Sequence, residues 1–281
     1  MRLVLGAAQF GGPYGVTRPT EHVVDLQLRA IAQLVAEHRI DLIDTAEGYG
    51  VENDRLAIFR DTGASLQTKL SDTYGEFDLA HLTRRFGELS ELSTGGVVSV
   101  LAHGARQVLG SDGQRVRALL DEARASGLVA RVGVSVYDHD ELHRVLDQFR
   151  PDVVQVPLSV ADQRLLHSGD LQMLVNAAIV VQVRSVFLQG LLLSSDAGGD
   201  RWPEPTRHAL SRFKRAVADP ARACFGFVHD AGCADEVVVG VHSAEQLGEL
   251  LQAWHKPQRG LQWEALRFED GLVDPRCWTP L

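Results

Sequence analysis

Eight short apolar runs, each followed by a longer stretch of helical periodicity, limit the folds open to this 281-residue chain more than any other feature. The runs are rich in valine, isoleucine and leucine without strict alternation, which is typical of strands in a parallel sheet covered on both faces. The stretches between them carry leucines and valines at helical spacing. The runs occupy residues 3–8, 42–43, 65–68, 97–102, 130–134, 153–156, 179–183 and 236–239, and the clearest helical stretches are 21–37, 79–92, 114–126, 139–149 and 244–254.

Eight strand–helix units in a chain of this length predict an α/β fold, a closed (β/α)8 TIM barrel, as a single domain over residues 1–281. An open doubly wound sheet is the alternative. The glycine cluster between Gly6 and Gly15 weighs against it, because the cluster does not read G-x-G-x-x-G and does not open directly into a helix. Residues 257–281 lack the strand–helix alternation, so we expect a C-terminal tail that folds back across the barrel.

The chain is acidic, with 28 Lys and Arg against 37 Asp and Glu and a formal net charge of −9 at pH 7. Such a surface argues against nucleic acid or an anionic membrane as a partner. No apolar run reaches the roughly 18 residues of a membrane-spanning helix. The three cysteines form no C-x-x-C pair, which fits a reducing compartment, and we expect a cytoplasmic protein. No heptad seam indicates an oligomeric state, which stays open.

Polar residues that can carry out chemistry follow three consecutive apolar runs. Asp44 ends the second run, and Tyr49 lies five residues further on. Lys69 ends the third run, and His103 follows the fourth. In a (β/α)8 barrel the carboxyl ends of the strands meet at one rim, where active sites lie. The pattern therefore predicts that these four side chains converge.

The four residue types together suit proton donation to a carbonyl. An ammonium group beside a phenol favours the phenolate and so makes the tyrosine a better acid. A neighbouring Asp keeps the lysine charged and in place, and a histidine can orient or protonate a substrate oxygen. A proton donor with no nucleophile and no metal suits carbonyl reduction, in which a cofactor supplies the hydride. The competing interpretation is a purely structural ion pair between Lys69 and Asp44, which Tyr49 and His103 disfavour.

Short motifs between residue 3 and about residue 254 occur in the order and at the spacing that one protein family shows. DTAEGYG at 44–50, followed by Glu52, resembles the signature of the aldo-keto reductase family. The opening LGAAQFG at 5–11 resembles a bacterial branch of that family. The remaining matching motifs are Thr68-Lys69, LAH at 101–103, GVSVY at 133–137, VQVP at 154–157, and VGVHS at 239–243 with EQL at 245–247.

The resemblance implies an NAD(P)H-dependent oxidoreductase that reduces an aldehyde or ketone to an alcohol. Tyr49 would be the general acid, with Lys69 and Asp44 tuning it and His103 orienting the carbonyl. The implied cofactor is NADPH, with NADH as the second choice, and the implied partner is a small-molecule carbonyl substrate. The substrate itself is not identified by the sequence. It is expected to be selected by the loops 104–113 and 194–205 and by the tail after Pro257.

The resemblance also assigns the cofactor contacts. Ser135 and Gln155 would hold the nicotinamide carboxamide, and the loop after the seventh run would lie near the pyrophosphate. The segment 240–246 would meet the adenosine end, where a helix amino terminus suits a phosphate. The implied cofactor residues are Gly6, Ala7, Asp44, Ser135, Gln155, Arg184, Gln189, Gly190, Leu191, Gly240, His242, Ser243 and Gln246.

Two departures from the family pattern affect the cofactor and the direction of reaction. Val136 stands where many members have Asn, and no Lys or Arg lies beside His242, where many members grip the 2′-phosphate of NADPH. The second departure favours an alternative, an NAD-dependent dehydrogenase that oxidises a sugar or pyridoxal-like alcohol. A hypothesis of another class is a redox-sensing or scaffold subunit that binds cofactor with little turnover, and the intact set of four residues argues against it.

His139 and His143 have the i, i+4 spacing of metal ligands on one helix face. The residue after the first histidine is Asp140, not the Glu of a metallopeptidase motif, and no third ligand is obvious in the sequence. We therefore expect a solvated helix face and no metal site.

Overall fold

The computed structural model describes residues 1–12, 14–15, 23–71, 78–194 and 202–278. Within these residues the apolar runs form eight parallel strands that close into a barrel in sequence order, with the first strand paired to the last. The predicted (β/α)8 barrel is confirmed. The strands are β1 (Arg2–Gly6), β2 (Leu42–Asp44), β3 (Ser65–Lys69), β4 (Val97–Ala102), β5 (Arg131–Ser135), β6 (Val153–Pro157), β7 (Val180–Arg184) and β8 (Glu236–Gly240).

Helical segments follow every strand. The predicted helix 139–149 ends early, at Leu146, and of the predicted helix 21–37 the first two residues lie outside the described part. Among the described residues no helix combines the length and apolarity needed to cross a membrane. The helices are α1 (Ala8–Gly11), α2 (Asp25–Glu37), α3 (Asn53–Ala57), α4 (Leu79–Glu91), α5 (Ala105–Leu109), α6 (Gly113–Ala125), α7 (His139–Leu146), α8 (Arg164–His167), α9 (Asp170–Asn176), α10 (Glu204–Ala216), α11 (Pro220–Ala231) and α12 (Ala244–His255).

Several of these helices begin at a residue whose side chain caps the first turn. Asp78 accepts a hydrogen bond from the backbone N–H of His81, and Asp138 does the same for Glu141. Such a cap satisfies a backbone donor that has no partner inside the helix and contributes about 1 kcal/mol. The caps fix where α4 starts after β3, which carries Lys69, and where α7 starts after β5, which carries Ser135.

The main apolar core lies between the barrel and its helices. Side chains alternate along a strand, so every second residue points outward. Leu5, Ile43 and Leu66 are outward residues of this kind, and they share one buried apolar cluster with helix residues such as Leu28 and Ile31. Each fully buried side chain of this type contributes about 1.5–3 kcal/mol. The apolar residues from which the strands were predicted are therefore mainly those that point outward, towards the helices.

The interior of the barrel is polar at its centre. Gln67 on β3 and Gln182 on β7 meet across the barrel, with an Nε2–Oε1 distance of 2.7 Å. Ser99 on β4 donates a hydrogen bond to Gln67 Oε1 at 2.9 Å. The interior of such barrels is usually filled with branched apolar side chains. Here the inward-facing residues form a hydrogen-bonded layer instead.

An ion cluster closes the amino-terminal end of the barrel. Glu236 on β8 accepts hydrogen bonds from Arg2 at 2.6 Å and from Arg131 at 2.8 Å. Burial alone would raise the pKa of the Glu236 carboxyl, but the bonds from Arg131 and Arg2 outweigh it and hold the pKa below its ordinary value. Glu236 is therefore ionised at neutral pH although its side chain is only 3% exposed.

The described part of the C-terminal tail returns along the outside of the barrel. Phe268 N–H donates to the carbonyl of Ala161, and Gln163 donates to the carbonyl of Trp263 at 2.9 Å. Arg276, close to the end of the described chain, bonds to acidic groups at the start of α7. These contacts tie the described part of the tail to the loop after β6 and to the start of α7.

We predict that Glu236→Gln lowers the free energy of unfolding by about 3 kcal/mol at neutral pH. This value is at the lower end of the free-energy cost of removing one partner of a buried ion pair, because both arginines are partly exposed. The charge stabilises the fold fully above the unfolded pKa, near 4.5, and this contribution is lost as the pH falls through the lower folded pKa. Urea denaturation at several pH values should show the difference shrinking in acid. The exposed Glu249→Gln is the control, and a pH-independent difference for Glu236→Gln would contradict the assignment.

Candidate active site

The four rim residues predicted from the sequence meet in the structure. Lys69 Nζ lies 2.6 Å and 2.5 Å from the two carboxylate oxygens of Asp44. The same ammonium lies 3.3 Å from the hydroxyl oxygen of Tyr49. The ring of His103 stands edge-on to the Tyr49 ring, with centroids 5.6 Å apart. Tyr49 is thus in contact with both the ammonium and the imidazole.

Local backbone structure presents Tyr49 at this point. It ends a 3₁₀ turn, Glu47–Tyr49, that follows β2, and Gly50 adopts a left-handed conformation with φ of 67° to end the turn. Glu47 accepts a hydrogen bond from the backbone N–H of Ser71, which ties the turn to the loop after β3. At Gly11 a methyl group would overlap the Tyr49 carbonyl, so α1 can pack directly against the turn only with glycine there.

Lys69 carries its charge in a buried position, with its side chain 1% exposed. Burial lowers the pKa of the Lys69 ammonium, but Asp44 and Tyr49 together outweigh it, and the pKa lies above its ordinary value. Lys69 therefore stays protonated at neutral pH. A permanent positive charge beside the Tyr49 hydroxyl stabilises the phenolate that forms when this group gives up its proton.

A line of side-chain amides continues from Asp44 through the barrel to Glu236. Gln67 Nε2 donates to Asp44 Oδ1 at 2.6 Å, and Gln182 Nε2 donates to Glu236 Oε2 at 2.6 Å. Both carboxylates can only accept, so the amide nitrogens must face them. Gln182 Oε1 is left to accept from Gln67 and also from Gln155, at 2.6 Å. Gln155 thus turns its nitrogen inward, towards Gln182, and lies on the wall of the cavity described next.

A cavity of about 430 Å³ opens above this line. Nine of the thirteen predicted cofactor residues, together with Tyr49, lie on its wall. These nine are Gly6, Asp44, Gln155, Arg184, Gln189, Gly190, Gly240, His242 and Gln246.

Four predicted cofactor residues do not line the cavity. Ser135 is buried behind Arg184, whose Nε donates to its hydroxyl at 3.3 Å. Ser243 caps α12 by accepting from the backbone N–H of Gln246 at 3.1 Å. Ala7 and Leu191 are buried in the apolar core. These positions support the wall and do not form its surface.

Lys69 and His103 also lie outside this cavity wall. Lys69 sits behind Asp44 and Tyr49, which is the position expected of a residue that acts through the tyrosine. His103 lines a neighbouring cleft together with Tyr137 and Arg276. The ring contact between Tyr49 and His103 joins a wall residue of the cavity to a wall residue of the cleft.

Other lining residues were not predicted from the sequence. Gln9 is the most informative, because its buried Oε1 has no partner among the described residues and the side chain lies on the cavity wall. A methyl group at Gly240 would overlap the Gln9 amide, so glycine there leaves the amide in place. The signal in the sequence was a single polar residue directly after an apolar run. The further lining residues include Ala8, Tyr14, Ser185, Phe187 and Leu193.

The loop after β7 has a strained backbone. Ser185, Leu188 and Gln189 have positive φ values of 60°, 48° and 53°, and Gly190 follows with 89°. Left-handed conformations at residues other than glycine cost about 1 kcal/mol each and tend to occur at ligand sites. The backbone N–H groups of Leu188, Gly190 and Leu191 donate to carbonyls within this loop, so these turns are closed by internal hydrogen bonds.

Arg184 fixes the start of that loop. Its guanidinium lies over the ring of Tyr137 at 4.1 Å and donates to the carbonyl of Val136 at 3.2 Å. Arg276 of the tail lies over the same ring, also at 4.1 Å. Tyr137 is therefore clamped between one arginine from the cavity wall and one from the tail. A positive charge is held beside the strained loop, as an anionic group would require.

The start of α12, where a phosphate was expected, has already used several of its hydrogen-bond donors. The backbone N–H of Ala244 donates to Gln27 Oε1 at 3.0 Å, and that of Gln246 donates to Ser243. The Gln246 side chain in turn accepts from the backbone N–H of His242 at 2.8 Å. Among the described lining residues Arg184 is the one lysine or arginine, and it belongs to β7.

The loops expected to select a substrate are described only in part. Most of the loop 104–113, which contains α5, lines the cleft beside His103, and the exposed Arg106 of this loop and Arg144 of α7 are among the lining residues. Of the loop 194–205, residues 195–201 lie outside the described residues.

Removing the central amide should destabilise the protein. We predict that Gln182→Met lowers the free energy of unfolding by about 3 kcal/mol, because it leaves Glu236, Gln67 and Gln155 with unmade buried hydrogen bonds. The control is Gln172→Met on the exposed face of α9, which should change stability by less than about 0.5 kcal/mol. Urea denaturation of both variants measures the difference. Equal effects would show that the buried amide line contributes nothing.

Searches for sequence relatives gave no match, either to a protein-family model or to a curated protein. Solved structures match over almost the whole chain. An aldo-keto reductase of Bacillus halodurans, AKR11C1 in its holo form, aligns with a TM-score of 0.72 at 15% identity, covering 97% of this chain and 92% of that one. The glycerol dehydrogenase AKR11B4 of Gluconobacter oxydans aligns with a TM-score of 0.67 at 15% identity, covering 94% and 88%.

A third structure comes from Pseudomonas aeruginosa and is also described as an aldo-keto reductase. It aligns with a TM-score of 0.65 at 20% identity, covering 90% of this chain and 88% of that one. The likeness to bacterial aldo-keto reductases inferred from the motifs is thus confirmed at the level of the fold. The chain has the (β/α)8 barrel fold of the bacterial aldo-keto reductases.

Proposed function

We propose that this protein is an aldo-keto reductase that uses a nicotinamide cofactor to reduce an aldehyde or ketone, with Tyr49 as the general acid. The observation that carries the proposal is the placement of the Tyr49 hydroxyl 3.3 Å from the buried ammonium of Lys69, on the wall of the cavity. Asp44 and His103 complete the arrangement. The shared fold supports it.

The residues of the cavity fit a nicotinamide dinucleotide. Gln155 offers a carbonyl oxygen to the amide N–H of a carboxamide, and the buried Oε1 of Gln9 has no hydrogen-bond partner in the part of the chain that the structure describes. Arg184, the one lysine or arginine among the described lining residues, suits the pyrophosphate. Gly6 and Gly240 leave room along the wall. When bound, the cofactor supplies hydride to the substrate carbon.

The chain itself handles the proton. Tyr49 donates it to the substrate oxygen, and the Lys69 ammonium stabilises the phenolate left behind. Asp44 holds Lys69 charged and in place, and Gln67 holds Asp44. His103, at the edge of the Tyr49 ring, positions the substrate oxygen. A proton from solvent then restores the tyrosine.

The same residues serve the reverse direction, oxidation of an alcohol such as a sugar or pyridoxal-like compound with NAD. The specific observation that favours this second candidate is the start of α12, where donors are used internally and no described lysine or arginine awaits a 2′-phosphate. In that case the Tyr49 phenolate accepts the alcohol proton. Assays with an alcohol panel and NAD at raised pH separate the two directions.

We predict that NADPH binds no tighter than NADH. The 2′-phosphate adds negative charge to an acidic protein at a site without a described basic partner. Titrations that follow tryptophan quenching give both Kd values. Glu245→Arg at the start of α12 should shift the preference towards NADPH by about tenfold, equivalent to about 1.4 kcal/mol. The matched Glu249→Arg, one turn further along, should not. Tighter NADPH binding by the unaltered protein would contradict this.

We predict that Tyr49→Phe lowers kcat for an activated aldehyde such as 4-nitrobenzaldehyde by about 10²–10⁴-fold, because the proton donor is lost. Cofactor affinity should stay unchanged, since the ring remains and only the hydroxyl is removed. Steady-state turnover and cofactor titration are measured on the same preparation. Unchanged turnover would remove Tyr49 as the acid. Tight cofactor binding without turnover of any carbonyl or alcohol would favour the sensor or scaffold hypothesis.

A further inference from the structure

A cluster of potential metal ligands lies outside the cavity. His139 and His143 on α7 meet Asp170, the first residue of α9, which supplies the third ligand that the sequence did not reveal. Their ligand atoms all lie within 4.8 Å of one another, and this is the one such group of His, Cys, Asp and Glu found among the described residues. None of the three residues lines the active-site cavity.

The geometry of the cluster is convergent. His139 Nδ1 lies 2.9 Å from Asp170 Oδ2, and His143 Nε2 lies 2.9 Å from Asp170 Oδ1. The two imidazole rings lie with their centroids 4.2 Å apart. Ser168 donates to Asp170 Oδ2 at 2.5 Å and so fixes the carboxylate. Both histidines thus direct a ring nitrogen at one carboxylate instead of at solvent.

These separations are close to those of a metal centre. Zinc binds imidazole nitrogen and carboxylate oxygen at about 2.0–2.2 Å, so neighbouring ligand atoms of a tetrahedral site lie about 3.3–3.5 Å apart. The nitrogen–oxygen distances here need to grow by only a few tenths of an ångström. Asp170 is 3% exposed, whereas the imidazoles are 55% and 44% exposed, which leaves a path for the ion and room for water.

We propose that His139, His143 and Asp170 bind one divalent transition-metal ion of the zinc class, with solvent in the remaining position. Two imidazole nitrogens favour Zn²⁺, Ni²⁺ or Cu²⁺ over Ca²⁺ and Mg²⁺, which prefer all-oxygen sites. The hydrogen-bonding serine completes the site in the way that groups around a metal ligand commonly orient it. The helix face expected to be merely solvated is, on this geometry, a metal site.

The role of the ion follows from its position. α7 follows β5, which carries Ser135, and α9 lies between β6, which carries Gln155, and β7. An ion shared by α7 and α9 joins two neighbouring strand–helix units at the rim. Because the site does not reach the cavity, the ion acts on stability and not on the chemical step.

The first test uses the whole protein after chelation and dialysis, with ZnCl₂ as the probe. We expect calorimetry to give about one Zn²⁺ per chain and thermal unfolding to shift upward by about 5 °C at a hundred times Kd. CaCl₂ at the same concentration should give no shift. Binding weaker than about 100 μM, or a shift equally produced by Ca²⁺, would overturn the proposal.

The second test removes the ligands. The double variant His139→Ala/His143→Ala should lose the Zn²⁺ shift, and His208→Ala, an exposed histidine on α10, should keep it. Both positions in the double variant are about half exposed, and its metal-free unfolding temperature checks that it folds. Cys277→Ser tests the exposed thiol as a rival ligand. A zinc response that survives in the double variant or disappears in Cys277→Ser would place the ion elsewhere and overturn the proposal.

Discussion

The buried ion pair between Lys69 and Asp44 is the interaction on which the candidate active site depends. Removing either partner would leave an uncompensated charge inside the barrel, at a cost of several kcal/mol. The pair is kept in place because Asp44 is also held by an amide from β3, and because the ammonium also reaches Tyr49. The environment of the Tyr49 hydroxyl and the stability of the interior therefore rest on the same contact.

Order in the barrel interior is set by its two anionic ends. Asp44 near the carboxyl ends of the strands and Glu236 near their amino ends can only accept hydrogen bonds. Each of the two amides between them turns its nitrogen towards one carboxylate, and the two amides exchange hydrogen bonds across the barrel. The fixed orientation of Gln182 also orients Gln155, whose nitrogen donates to the Gln182 oxygen, so that a carboxylate at the opposite end of the barrel sets which way the Gln155 amide faces.

Sequence reasoning predicted the fold and the rim residues, and it did so for physical reasons. The strands could be predicted because the residues on their outer face are buried against the helices and are therefore apolar. The rim residues could be predicted because the carboxyl ends of parallel strands lie at the same rim of a barrel. The polar interior was missed, although glutamine stands at the centre of three apolar runs, at positions 67, 155 and 182. The role of these glutamines could not be predicted, because it depends on a contact across the barrel between β3 and β7. Asp170 was missed in the same way, since it meets His143 only through the packing of two helices.

The clamp on Tyr137 has a consequence for how this protein can change over evolution or in the laboratory. One of the two arginines over the ring belongs to the cavity wall and the other to the tail, so a single aromatic side chain links the tail to the wall. A tail grafted from a related barrel would change one of these two contacts and, through the ring, the support of Arg184 on the cavity wall.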